Sequence, residues 1–457
     1  MMKHFLLLLT LLLSLSAAAQ HDSLAAANTL TGDSVKGDGI KTGFTFGVLP
    51  AIAYDSDLGF KYGGLINLYY FGDGSTYPDY MHSIYLEWNR TTKGSATNQF
   101  FYDSPMLFGD KDIRVTLDAS YLTEQALDFY GFNGAEANYS AAFEEQDAMR
   151  YISRMYYRYE RKMLRLTGDF QGKIIGKKLR WLFGVAHFNN KIGTVNIEQL
   201  NKGKDSDDLL PDTLTLYDKY VDWGIIPERE ADGGVNNYLK AGVVYDTRNI
   251  EANPSKGMWS EVLLVTAPRF FGNKENAFTK LVAIHRQYFT LIPDRLTFVY
   301  RLGYQGTIHG NAPFYMQSYM FMSYSPSVIT EGLGGAKSLR GIKRNRVIGD
   351  GFAYSNIEFR YKFLKTKIKR QNLYLALNTF TDIGTILDPV AVDRSLIPAG
   401  ENEADYFNEQ QDKLHFTYGL GLHAALNENF VLSVNFGIAA DKQDGTNGLY
   451  IGTNWLF

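Results

Sequence analysis

The residues with the most obvious chemical potential lie between Gly332 and Gly351, in GLGGAKSLRGIKRNRVIGDG. There a glycine cluster and a Lys337–Ser338 pair lead into Arg340, Lys343, Arg344 and Arg346. Glycines beside Lys-Ser can cradle a phosphate, and clustered Arg and Lys can hold a polyanion. A phosphate loop needs Gly directly before Lys-[Ser/Thr] and a helix directly after it. Ala336 precedes Lys337 and the flanks are strand-like, which removes that reading. A net charge of −3 over 457 residues gives no reason to expect nucleic acid as a partner. Other chemistry is thinly supplied. Cysteine is absent, which excludes disulfides, thiol catalysis and Cys-ligated metal. The eight histidines have no metal-ligand spacing, and Asp246 and Glu251 lack the spacing of an EF-hand loop. No serine motif is paired with His and Asn on neighbouring strands, as an outer-membrane phospholipase would require. The expectation is no enzyme, no cofactor and no metal.

The basic run must therefore be read through the elements that carry it. The first residues, MMKHFLLLLTLLLSLSAAAQ, have the layout of a secretory signal. Lys3 gives a positive start, Phe5 to Leu15 an apolar stretch too short to span a bilayer, and Ala17–Ala18–Ala19 a small-residue cleavage site. Residues 1–19 are expected to be the signal, 20–42 a short periplasmic tail, and 43–457 one outer-membrane domain surrounded by lipid. Beyond the signal no apolar run approaches 18 residues, so no membrane helix is expected. Instead the chain is rich in Tyr (31), Phe (30) and Gly (43), the composition of a transmembrane β-barrel with aromatic girdles.

Period-two alternation supports that class. In LTFVYRLGYQ, Leu296, Phe298, Tyr300, Leu302 and Tyr304 share one face. FTYGLGLHAAL and FVLSVNFGI alternate in the same way from Phe416 and Phe430. Such runs are longer than the 5–6 residues or so usual in soluble sandwiches. The alternation predicts sixteen strands, at about 43–54, 58–71, 81–93, 111–124, 147–159, 162–174, 178–191, 235–248, 257–270, 276–291, 294–309, 351–364, 371–384, 414–426, 429–441 and 447–457. Long polar connections at about 192–234, 310–350 and 385–413 fall at alternate junctions, as extracellular loops do. The long junction around Asp128 to Asp147 falls on the wrong side of that alternation. The last strand places Leu449, Ile451, Trp455 and Phe457 on one face, and Trp455 and Phe457 are read as an assembly signal. The fold class expected is all-β: an antiparallel transmembrane barrel whose sixth extracellular loop folds into the lumen.

Four motifs carry a resemblance. LGGAKSLRGIKRNRVIGDGFAYSNIEFRYKF resembles the sixth-loop region of the BamA/TamA surface-antigen family. VYDTRNIEANPSKGMW resembles its D-T-R…N-P-x-x-G turn, with Asp246, Arg248, Pro254 and Gly257. FTDIGTI and DFYGFNG resemble its F-x-D-x-G strand and its F-Y-G-x-G-N signature. Two features depart from the pattern. Ile342 stands where the family carries an aromatic residue, and the 20–42 stretch is too short for a POTRA module. The resemblance implies that Arg340 sits at a loop tip inside the barrel and pairs with lumenal acids. Strand parity independently turns Glu358 and Asp382 inward, and Gly334, Gly335 and Gly341 would let the loop turn tightly. It also implies insertion, or assisted insertion or translocation, of proteins at a seam between the first and last strands. Unfolded outer-membrane proteins would be the clients, with an unidentified periplasmic partner in place of POTRA domains. A gated or passive secretion pore is the alternative. Deleting residues 21–40 is expected to leave the folded band on unheated gels intact; losing that band would show the tail to be more than a tether.

Overall fold

The computed structural model describes residues 40–457 except 56–57, 110–111, 177, 324–330 and 369–370. The expected signal and most of the expected tail lie outside the described residues. The strands form a single antiparallel sheet. Its first strand, β1, runs Phe44–Pro50 and resumes at Ala53–Asp55, both parts pairing with β2 (Gly59–Tyr70). Then come β3 (His82–Thr91), β4 (Ala96–Ser104), β5 (Arg114–Asp128), β6 (Arg158–Ile175), β7 (Leu179–Gly193) and β8 (Gly233–Asp246). The second half comprises β9 (Gly257–Ala267), β10 (Phe278–Ile292), β11 (Leu296–Gly310), β12 (Gly351–Ile368), β13 (Gln371–Asp388), β14 (His415–Leu426), β15 (Phe430–Ala439) and β16 (Asn447–Thr453). Each strand pairs with the next, giving the sixteen expected. Among the described residues no helix is long and apolar enough to cross a membrane.

Two strand assignments are corrected. The expected strand at 147–159 does not exist, because residues 147–157 belong to the connection after β5. Their aromatics are buried, but not against lipid: Tyr156 and Tyr157 pack with Phe143 and Tyr130 in an aromatic cluster of the loops. The expected 162–174 strand is the body of the longer β6. The missing strand is β4, ATNQFFYDS, pairing with β3 and β5. With β4 inserted, the long 129–157 connection moves to the same rim as 194–232, 311–350 and 389–414. The apparent breach of alternation was this one missed strand.

Period two sorts the two faces as the hydrophobic effect requires. Phe359 and Tyr361 are exposed on the outer face of β12, while Glu358 and Arg360 are buried within. The lumen is closed at the long-loop rim by Phe129, Phe132, Tyr217, Tyr220, Phe314 and neighbours in one apolar cluster.

Register pairings run from β1 through each successive strand to β16. At the seam β1 packs against β15: Leu49 meets Phe430, Leu432, Leu426 and Leu373. A Cβ on Gly47 would lie 2.3 Å from the Phe430 ring, so only glycine fits there without displacing it. Because the chain lacks cysteine, single-cysteine reporters can test the topology. Met149→Cys, at a fully exposed site in the 129–157 loop, should react with an impermeant maleimide on intact cells. Asp294→Cys, in the β10–β11 turn, should react only after the outer membrane is permeabilised. The opposite pattern would refute the assignment of the long-loop rim to the cell surface.

Candidate functional site

The 311–350 connection, loop 6, enters the lumen and ends its descent at Arg340, which is 1% exposed. Its guanidinium meets two carboxylates from adjacent strands. Nε and Nη2 donate to the two oxygens of Asp382 on β13, at 2.9 and 2.8 Å. Nη1 lies 2.8 Å from Oε1 of Glu358 on β12. The Arg340 backbone N–H also donates to Asp382 Oδ2 at 3.0 Å, and the guanidinium carbon stands 3.5 Å from the centroid of the Phe380 ring. Burial by itself would lower the Arg340 pKa, but Asp382 and then Glu358 hold it above the ordinary arginine value. One bidentate carboxylate with a second at the remaining nitrogen suits a planar guanidinium and would not suit an ammonium.

The sequence explains why the loop can reach that depth. Gly334 has φ 146° and Gly341 φ 108°, backbone regions costly for any residue with a Cβ. A Cβ on Gly341 would fall within 3 Å of the Gly437–Ile438 backbone of β15. Gly335 also has positive φ, 78°. Ser338 Oγ ties the turn by accepting from Gly334 N–H and donating to loop carbonyls. On the wall, Gly384 leaves the space that Leu333 and Leu339 of the loop fill.

Arg344 and Arg346 of the run staple loop 6 to other elements. Arg344 pairs with Asp128 and Glu124 at 2.9 and 3.2 Å. Arg346 donates to the carbonyls of Gly134, Ala137 and Gln443. Asp246, Arg248, Pro254 and Gly257 lie far from this site, in the β8–β9 turn. There Arg248 donates twice to Asp246 and covers the Trp259 ring at 4.4 Å. Gly257 takes φ 98°.

Trp455 and Phe457 are not on the outer face with Leu449 and Ile451. Asn454 adopts φ 68°, which breaks the period of two, and the following residues turn into the lumen. Trp455 stacks on His423 at 3.8 Å. Arg360 lies over Trp455 at 4.4 Å and donates to the Phe457 carbonyl at 3.0 Å. The same Arg360 donates through Nε to Glu358 Oε2 at 2.8 Å. Asn356, Arg360, Phe380 and Tyr450 also belong to the site and were not singled out from the sequence. Asn356 bridges Asp382 and the Ser338 carbonyl, and Tyr450 accepts from Gly341 N–H. For Asn356 the available signal was parity with Glu358; for Phe380, parity with Asp382.

The profile of the Omp85 superfamily domain matches residues 82–455. The chain belongs to the Omp85 superfamily. It is an outer-membrane β-barrel of that family. Similar solved structures include CdiB from Escherichia coli, with 8% identity and a TM-score of 0.52, covering 92% of this chain and 62% of that one. BamA from Haemophilus ducreyi lacking POTRA domains 1–3 is 14% identical with a TM-score of 0.46, covering 90% of this chain and 69% of that one. No curated protein matches the sequence. In this Omp85 barrel, Arg340→Ala is expected to destabilise the folded state by about 3–5 kcal/mol, the usual cost of stripping one partner from a buried ion pair. The check is the temperature at which the folded gel band disappears. An unchanged transition would show that the pair does not hold the loop.

Proposed function

We propose that this Omp85 barrel inserts proteins into the outer membrane, or assists their insertion or translocation, through the seam between β1 and β16. The single observation that carries this reading is the short last strand, whose chain turns into the lumen at Asn454. Edge strands present unpaired N–H and C=O groups, and a client strand can add to such an edge. Here β16 is short, pairing with β15 only from Leu432 to Ile438. The chain after β16 turns inward, and β1 packs against the far side of the seam through Leu49 and Phe430. A short last strand that leaves the sheet for the lumen gives a client strand a place to add.

A passive pore needs an open lumen, whereas loop 6 fills this one from above and the cavity at the short-turn end measures about 160 Å³. The test uses proteoliposomes carrying the wild-type barrel, the Arg340→Ala variant or no protein. The folding rate of a small unfolded barrel protein is followed in each. Acceleration by the wild type, reduced in Arg340→Ala, is the expected outcome. Wild-type barrel with no acceleration but steady conductance across planar bilayers would replace this reading with the secretion pore.

A further inference from the structure

At the periplasmic end of the lumen, between the β8–β9 turn and the inturned 455–457 segment, lies the cavity of about 160 Å³. Three cations line it without a carboxylate partner among the described residues: Arg286, Arg301 and Lys337. Arg301 is 2% exposed, and its bonds go to neutral acceptors only, Asn356 Oδ1 at 2.8 Å and the Lys337 carbonyl at 2.9 Å. Arg286 has a buried Nε with no acceptor, and so does Nδ2 of Asn67, a residue that is 5% exposed on the opposite wall. The other lining cations are satisfied. Arg248 is paired with Asp246, and Arg114 with Asp103 and Glu251.

Glu251, a carboxylate in the lining, is not free to serve the three. Arg114 Nη1 and Nη2 hold its two oxygens at 2.8 and 2.9 Å. Burial would raise its pKa, but Arg114 and Arg248 pull it down to about 2. Among the described residues the cavity therefore gathers three cations with no ion-paired carboxylate, beside neutral polar groups such as Ser83 and Asn429. Buried charge is expensive until it is paired. Beside polar residues such as Ser83 and Asn429, part of the wall is aromatic: Trp259 lies 5.8 Å from the Arg286 guanidinium, Phe457 lies 5.2 Å from that of Arg301, and Phe101 closes a side. A cavity of roughly 150 Å³ is known to hold one benzene ring.

We propose that this cavity is a binding site for a small organic anion with a flat apolar body, of the aromatic-carboxylate class. The carboxylate would be held between Arg301, Arg286 and Lys337, with the Asn67 amide as a further donor. The ring would lie among Trp259, Phe101 and Phe457. This site is separate from the seam and does not depend on the insertase reading.

The experiment is calorimetric titration of the folded barrel in detergent micelles at low salt. Three probes are used: phenylacetate, its neutral isostere phenylacetamide, and inorganic phosphate. Phenylacetate should bind saturably with one site per barrel, and the other two at least tenfold more weakly. Arg286→Gln and Lys337→Gln, neither of which removes an ion pair, should each keep the folded gel band and weaken phenylacetate several-fold. No binding of phenylacetate, or equal binding of phenylacetamide, would overturn the anion site. Equal binding of phosphate would overturn the aromatic class. Unchanged affinity in both variants would overturn the assignment to this cavity.

Discussion

The arrangement of the lumen depends on one guanidinium. Arg340 is placed where bulk water cannot solvate it, so the carboxylates of Asp382 and Glu358 must arrive from two adjacent strands in the right plane. That requirement propagates outward. Both acids must sit at inward positions, which fixes the register of β12 against β13 through pairs such as Asn356 with Asp382. The loop must turn without side chains at Gly334 and Gly341. The wall must be bare at Gly384 and Gly437 for the loop to lie against it. A buried pair of this kind adds little net stability over an apolar substitute, but losing one partner is costly. Its effect is to make one loop position much better than its neighbours.

The seam follows the opposite logic. Where loop 6 is held by directional bonds, the contacts of β1 with the far edge include a broad apolar patch. Gly47 lies under the Phe430 ring and Leu49 among the leucines of β13 to β15. Apolar contact is non-directional and tolerates sliding, whereas a ladder fixes register residue by residue.

Much of this was legible in the sequence, because alternation and parity are local. Strands β7 to β15 could be drawn from apolar periodicity, and Glu358 and Asp382 could be turned inward by counting from Phe359 and Leu377. The failures have a common cause. Alternation reports burial on one side of a strand, and lipid is only one way to bury a residue. In residues 147–157 the buried partners are other loop aromatics, so a loop imitates a strand. In β4 the inward face is Gln99, Phe101 and Asp103, and the outer face has only Phe100 and Tyr102 to mark it. Asp103 is in fact committed to Arg114, an ion pair that no local pattern reveals. Trp455 and Phe457 were misplaced for a related reason: parity carried past Thr453 assumes an unbroken strand, and one left-handed residue, Asn454, reverses the face.

That reversal brings loop and seam into one electrostatic unit. Glu358 has two oxygens, and each lies beside a different guanidinium: Oε1 faces Arg340 from loop 6, and Oε2 accepts from Arg360. Arg360 in turn holds the Phe457 carbonyl and covers Trp455. Withdrawing Arg340 would leave Glu358 neutralised by Arg360 alone, whose second nitrogen donates to the Phe457 carbonyl. The plug and the inturned end of the last strand are therefore joined through one carboxylate and one guanidinium, Glu358 and Arg360.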